Sequence, residues 1–310
     1  MPEPVPVPGV DPRIDWSRCQ AGDGYRAGVI SNLQVEWVGD ELRARWQGGE
    51  DPTVFVSGSP DDAGTVIVPV DTPGRLRVAG LPTGFRAYVH VLDLDGEWAV
   101  AGEKLVSLGR AAHAVDLGGH RTEDGRAVGW GRLYAGDPID DLDSIGRERF
   151  DGLHVHTVCD LRDPADSAGR PAWLAPDVRW ELPGLGTGGA GTGDASGEGP
   201  GDQGDPAELD ELPPVEPAAQ IAEVVTLVSD PANRAILLHA GVGQDRAVVT
   251  TALLLSAVGV PDVGLPFFPT RPQVLADLRD RFGSVPGYLT AGAGLDEADL
   301  IALAEALLGT

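Results

Sequence analysis

Two hydrophobic periods divide this chain. From about residue 28 to 109 the period is two. Leu42, Ala44 and Trp46 alternate with Arg43 and Arg45, and Phe85, Ala87, Val89 and Val91 alternate with Arg86, Tyr88, His90 and Leu92. Val54-Phe55-Val56 and Val66-Ile67-Val68 are short β-forming runs. Gly48-Gly49, Ser59-Pro60-Asp61-Asp62, Pro73-Gly74 and Asp95-Gly96 punctuate them as turns. Such a succession of short strands predicts an all-β sandwich over 28–109. Beyond residue 110 strands and helices alternate. Segment 155–161 reads as a strand and 235–239 as a buried strand. Segment 218–229 reads as a helix with Ile221, Val224, Val225 and Val228 on one side. Segment 247–258 is an almost wholly apolar helix, and 272–282 and 296–308 complete a helical C-terminus, the last with an acidic first turn suited to the helix dipole. This pattern predicts an α/β domain over 110–310, a central sheet flanked by helices.

Composition adds two segments without such periods. Residues 1–27 open on alternating prolines and read as an extended tail. Residues 184–217 hold ten glycines and eight acidic residues, and no Lys or Arg occurs between Arg179 and Arg234. A stretch with so little apolar surface cannot offset its ordering entropy, so it reads as a disordered insert. The whole chain of 310 residues carries a formal charge of −25. That charge disfavours nucleic acid and anionic membranes as partners. No apolar run reaches the length of a membrane span, and the N-terminus lacks a signal-peptide pattern. The two cysteines, Cys19 and Cys159, make neither a disulfide framework nor a Cys-rich metal site, so a cytoplasmic location is expected.

Several chemistries drop out at once. Lys104 is the one lysine and no Gly-Lys pair exists, which removes the Walker-type phosphate loop. Gly184-Leu185-Gly186-Thr187-Gly188-Gly189 satisfies G-x-G-x-x-G, but no amphipathic helix follows it, so no dinucleotide site is expected. His154 and His156, at period two, would share one strand face, but two histidines without a third ligand do not make a metal site. Neither a metal nor any other cofactor is expected.

What remains is an anion cradle. Strand 235–239 leads through His239-Ala240-Gly241-Val242-Gly243-Gln244-Asp245-Arg246 into an apolar helix. Such a loop turns backbone N–H groups inward, the helix N-terminus adds partial positive charge, and Arg246 offers a forked donor. These residues resemble the His-Cys-x5-Arg loop of cysteine-dependent tyrosine phosphatases, and more narrowly the bacterial and fungal branch that reads HCxxGKDRTG. Asp116-Leu117-Gly118-Gly119-His120-Arg121-Thr122-x-Asp124-Gly125-Arg126 resembles that branch's DLGGY-x-T-x-DGR, Gly131-Arg132-Leu133-Tyr134 its G-x-LYRS, and Val158-Cys159-Asp160-Leu161-Arg162 its VIDLR. The segment 28–109, with Trp46, the stretch from Leu81 to Val89 and a closing strand at 103–106, resembles a fibronectin type III module.

The resemblance implies a phosphate pocket made by Gly241, Val242, Gly243, Gln244, Asp245 and Arg246, supported by His239, Asp160 and Arg162. It also implies a cysteine thiolate that attacks phosphorus. Here that position is Ala240, the hydroxyl that follows the arginine is Ala247, and the loop lysine is Gln244. A catalytically degenerate pseudophosphatase is therefore expected. It would bind a phosphorylated protein, lipid or metabolite, with the β-sandwich offered to a protein partner. Two alternatives stay open: a phosphatase in which Asp245 or His239 activates water, and a scaffold with a vestigial pocket. Arg246 either binds phosphate or closes the loop against a carboxylate. Asp245 is either an acid/base or a helix-terminal carboxylate. Asp160 and Arg162 either reach the pocket or form a buried ion pair that fixes the loop.

Overall fold

Alternation along the first strands decides which side chains meet. The computed structural model describes residues 30–49, 51–64, 67–70, 72–82, 84–109, 112–163, 166–183, 216–241, 246–262 and 272–308. The expected tail, nearly all of the acidic insert with its G-x-G-x-x-G, Val66 and Cys19 lie outside these residues. Strands β1 (Ser31–Val38), β2 (Glu41–Gln47) and β4 (Arg75–Ala79) form an antiparallel sheet in the order β1-β2-β4. Strands β3 (Thr53–Ser57), β5 (Tyr88–Leu92) and β6 (Trp98–Gly102) form a second, in the order β3-β5-β6. Leu42, Ala44, Trp46 and Leu76 of the first sheet and Val54, Val56, Val89 and Val91 of the second share one core. The arginines between the first set face outward.

The third sheet has six strands in the order β11-β10-β12-β9-β8-β7. Strands β9 (Leu133–Gly136), β10 (Thr157–Asp160), β11 (Arg179–Glu181) and β12 (Ile236–His239) run parallel. Strands β8 (His113–Asp116) and β7 (Leu105–Ser107) add an antiparallel edge. Every residue of β10 and β12 is buried, as parallel strands covered on both faces require. One face packs on α2 (Glu216–Ser229), α3 (Arg246–Ala257), α4 (Pro272–Phe282), α5 (Val285–Ala291) and α6 (Glu297–Leu308). The other packs on α1 (Ser144–Gly152) and the Trp173 segment.

The structure amends several readings of the sequence. Glu103 and Lys104 are not part of a strand that closes the β-rich half. Glu103 makes only an isolated bridge to Val35, and the strand resumes as β7, which pairs with β8. Arg86, Tyr88 and His90, the positions that alternate with Ala87, Val89 and Val91, are themselves buried. Arg86 Nη2 donates to Asp116 Oδ2 at 2.8 Å and the hydroxyls of Tyr88 and Tyr134 lie 3.2 Å apart, so this face packs on the six-stranded sheet. His154 has a φ of +53° in the turn before β10, so it and His156 do not share a strand face. Helices α1 and α5 have no counterpart in the periodicity, because each is short; α5 starts at a Ser284 cap whose hydroxyl accepts from Gly287 N at 3.0 Å. Among the described residues no helix is long and apolar enough to cross a membrane, and no group of three metal-ligating side chains occurs.

The motif at 116–119 shows why its glycines are needed. Asp116 accepts from Gly118 N at 2.8 Å and from Gly131 N at 3.1 Å, which folds 116–131 back on itself. A Cβ on Gly118 would stand 2.4 Å from Trp130 Cα, and Gly119 sits at φ +74° against the same tryptophan.

Candidate functional site

Parallel strands leave their C-terminal ends open at one edge, where α/β folds place ligands. Asp160 of β10 pairs with His239 of β12, which pairs in turn with Gly136 of β9. Leu161 N donates to His239 O at 2.8 Å and extends this register. Ala240 follows His239 directly, 5% exposed, its methyl group in the main core. Gly241 comes next, and α3 starts at Arg246. Val242, Gly243, Gln244 and Asp245 lie outside the described residues. Ala247 packs partly buried against the core.

Arg246 turns toward the end of β10. Its Nη1 and Nη2 donate to Asp163 Oδ1 and Oδ2 at 2.8 and 3.1 Å, and Nη1 also reaches Leu161 O at 3.3 Å. The pair is open to water, with side chains 43% and 52% exposed.

Asp160 and Arg162 form a buried ion cluster. Arg162 Nε and Nη2 donate to the two oxygens of Asp160 at 2.9 and 2.8 Å. Its Nη1 and Nη2 also clamp Asp140 at 2.7 and 3.1 Å. Ser167 Oγ donates to Asp160 Oδ2 at 2.6 Å. Burial pushes the Asp160 carboxyl up, but the bonds from Arg162 and Ser167 outweigh it and leave it below the ordinary range.

His239 is fully buried, and neither ring nitrogen has a hydrogen-bond partner among the described residues. Its Nδ1 stands 3.9 Å from Asp160 Oδ1, and its ring lies 5.4 Å from that of Trp180. Burial lowers its pKa to about 4 against the pull of Asp160, so the ring is neutral at pH 7. The neighbouring thiol of Cys159 points into the core; burial, then the Asp160 charge, pushes its pKa up. Neither group is a ready nucleophile or an exposed base.

The sequence reading missed Asp140, Ser167 and Asp163. The last two follow closely on Asp160-Leu161-Arg162, so the strand end was a signal for them; Asp140, distant in sequence, had none. Residues 114–264 match the model of the tyrosine phosphatase family. No curated protein matches the chain.

Proposed function

We propose that the tyrosine phosphatase family domain of this chain is a pseudophosphatase, which holds a phosphorylated ligand at 239–246 and does not cleave it. The observation that carries this reading is the Ala240 methyl at the end of the central strand. Covalent phosphoryl transfer needs a lone pair there, and a methyl group offers none. Cys159 cannot substitute from the core, and His239 is fully buried with a neutral ring. The loss of a thiolate also removes repulsion against a phosphate dianion, about 4 kcal/mol per unit charge at 4 Å and an effective dielectric near 20. Affinity therefore survives the loss of turnover.

Arg246 supplies the cation. Its link to Asp163 is an exposed one, of the kind that contributes at most about 1 kcal/mol, so a dianion can compete for the fork. That same link favours a second reading, a scaffold whose pocket is closed by its own carboxylate. The β-rich half is read as a fibronectin type III-like module that presents a surface to a protein partner.

Calorimetric titration of inorganic phosphate and of a phosphotyrosine peptide tests the proposal. Wild type binds at least one of them, and Arg246→Ala weakens that binding about tenfold or more. Ala240→Cys combined with Ala247→Thr yields measurable turnover of para-nitrophenyl phosphate where wild type yields none. Enzyme-like phosphate release by wild type overturns the proposal, and absence of binding to either ligand leaves the scaffold reading in its place.

A further inference from the structure

We infer that the outer face of the β1-β2-β4 sheet is a binding site for a free small molecule that carries two phosphoryl groups on separate carbons. It is distinct from 239–246. The inward course of Leu42, Ala44, Trp46 and Leu76 forces Arg43, Arg45, Arg75 and Arg77 outward. The register then sets them in two directly opposed pairs, Arg43 with Arg77 and Arg45 with Arg75. Four of the 23 basic side chains of a chain with net charge −25 thus share two neighbouring strands.

Folding does not ask for this arrangement. Like charges directly opposed across an antiparallel pair destabilise it. Threonine or glutamine at the same positions would keep the alternation without the repulsion. Two carboxylates offset part of the charge. Glu36 is the cross-strand partner of Arg43, and Glu41 Oε2 accepts from Arg43 Nε at 2.6 Å. Arg45 Nε donates to Gln34 Oε1 at 2.7 Å. Both contacts hold the Nε edge. The Arg75 guanidinium makes no hydrogen bond or ion pair among the described residues.

The face is also concave. A cleft of about 870 Å³ is lined by the four arginines together with Lys104 and Trp130. The bridge from Val35 to Glu103 brings Lys104 alongside β1, where its Nζ donates to Gly118 O and stands 4.8 Å from the centre of the Trp130 ring. Clefts of roughly 300–1,000 Å³ suit small organic ligands.

Charge and spacing select the ligand. Each arginine pair presents two planar forks, with the charge of Arg43 and Arg77 partly offset by Glu36 and Glu41, and a phosphoryl group brings roughly −1.5 to −2 and three acceptor oxygens. A carboxylate brings half of that. The two pairs stand two residues apart along the strands, about 7 Å. Phosphorus atoms joined through one oxygen, as in pyrophosphate, lie closer than this, whereas the two ends of a sugar bisphosphate can span it. A net charge of −25 opposes approach to an anionic membrane, which leaves a free molecule as the source.

The full chain is titrated by calorimetry with fructose bisphosphate, inorganic phosphate, pyrophosphate, a polyglutamate peptide, and phosphatidylcholine vesicles that contain phosphatidylinositol bisphosphate. The bisphosphate binds most tightly, about tenfold or more above inorganic phosphate, and the affinity falls with added salt. Arg45→Thr with Arg75→Thr weakens it about tenfold or more, and at the same time raises the melting temperature of the unliganded protein, because one opposed pair is gone. A purely structural role for the arginines would lower that temperature instead. Arg246→Ala leaves this binding intact, which separates the present site from the loop. The inference is overturned if the double variant binds as wild type does, if Arg246→Ala abolishes the binding, or if pyrophosphate, polyglutamate or the vesicles bind as well as the bisphosphate.

Discussion

A guanidinium that faces water changes partners at small cost. On the proposed reading Asp163 competes with a phosphate for Arg246, and the pair is exposed enough to contribute no more than about 1 kcal/mol. Asp163→Asn is therefore expected to tighten phosphate binding by up to about fivefold in a calorimetric titration. A weaker affinity in that variant would mean that Asp163 aims the arginine instead of masking it. His239 behaves in the opposite way, because burial and not a partner governs it. Its folded pKa of about 4 lies below the ordinary 6.5. As pH falls through 6.5 the unfolded chain takes up the proton first, so stability declines until about pH 4, where the folded ring also protonates. The loss over that window is about 3 kcal/mol. His90, also lowered by burial, adds to the same slope. Denaturant titrations across the window are expected to show a shallower pH dependence for His239→Gln than for wild type; identical slopes would contradict the assignment.

At the scale of elements, β12 and α3 carry the candidate site and are its most buried parts. All four β12 residues are buried, and Thr250 to Leu255 of α3 are buried in one run. A helix this apolar cannot leave the core without exposing that surface, so β12 and α3 are both fixed in place. Leu255→Ala, at a fully buried position, is expected to cost about 2–5 kcal/mol in urea unfolding. A loss well under 1 kcal/mol would mean that the core collapses around the cavity. The pattern was sufficient for these elements because α3 is long and both are strongly apolar. It was insufficient for α5, whose seven residues make too few turns to display a stripe. It also misassigned 103–106, since alternation identifies a strand without saying which sheet it joins.

At the scale of the molecule, one buried cluster joins the β-rich half to the six-stranded sheet. Arg86 and Asp116 are both nearly inaccessible, and the Tyr88 and Tyr134 hydroxyls meet beside them. Removal of one partner from such a pair strands the other charge in a poorly solvated place. Arg86→Ala is expected to destabilise the chain by about 3–5 kcal/mol and to split a single calorimetric transition into two. A variant that melts once, at the wild-type temperature, would show that the contact contributes nothing to coupling.

Local features needed no coordinates. The alternation at 42–46, the glycines at 118–119 and the order His239-Ala240-Gly241 are properties of neighbouring residues and their backbone preferences, and an alanine side chain lacks a lone pair in any fold. Partners were another matter. Arg246 meets a carboxylate 83 positions away, Arg86 meets one 30 positions away, and the opposed arginines of β2 and β4 depend on a register that one residue of slip would invert. Each of these contacts joins segments distant along the chain, and only the packing of sheets and helices brings such segments within reach of one another.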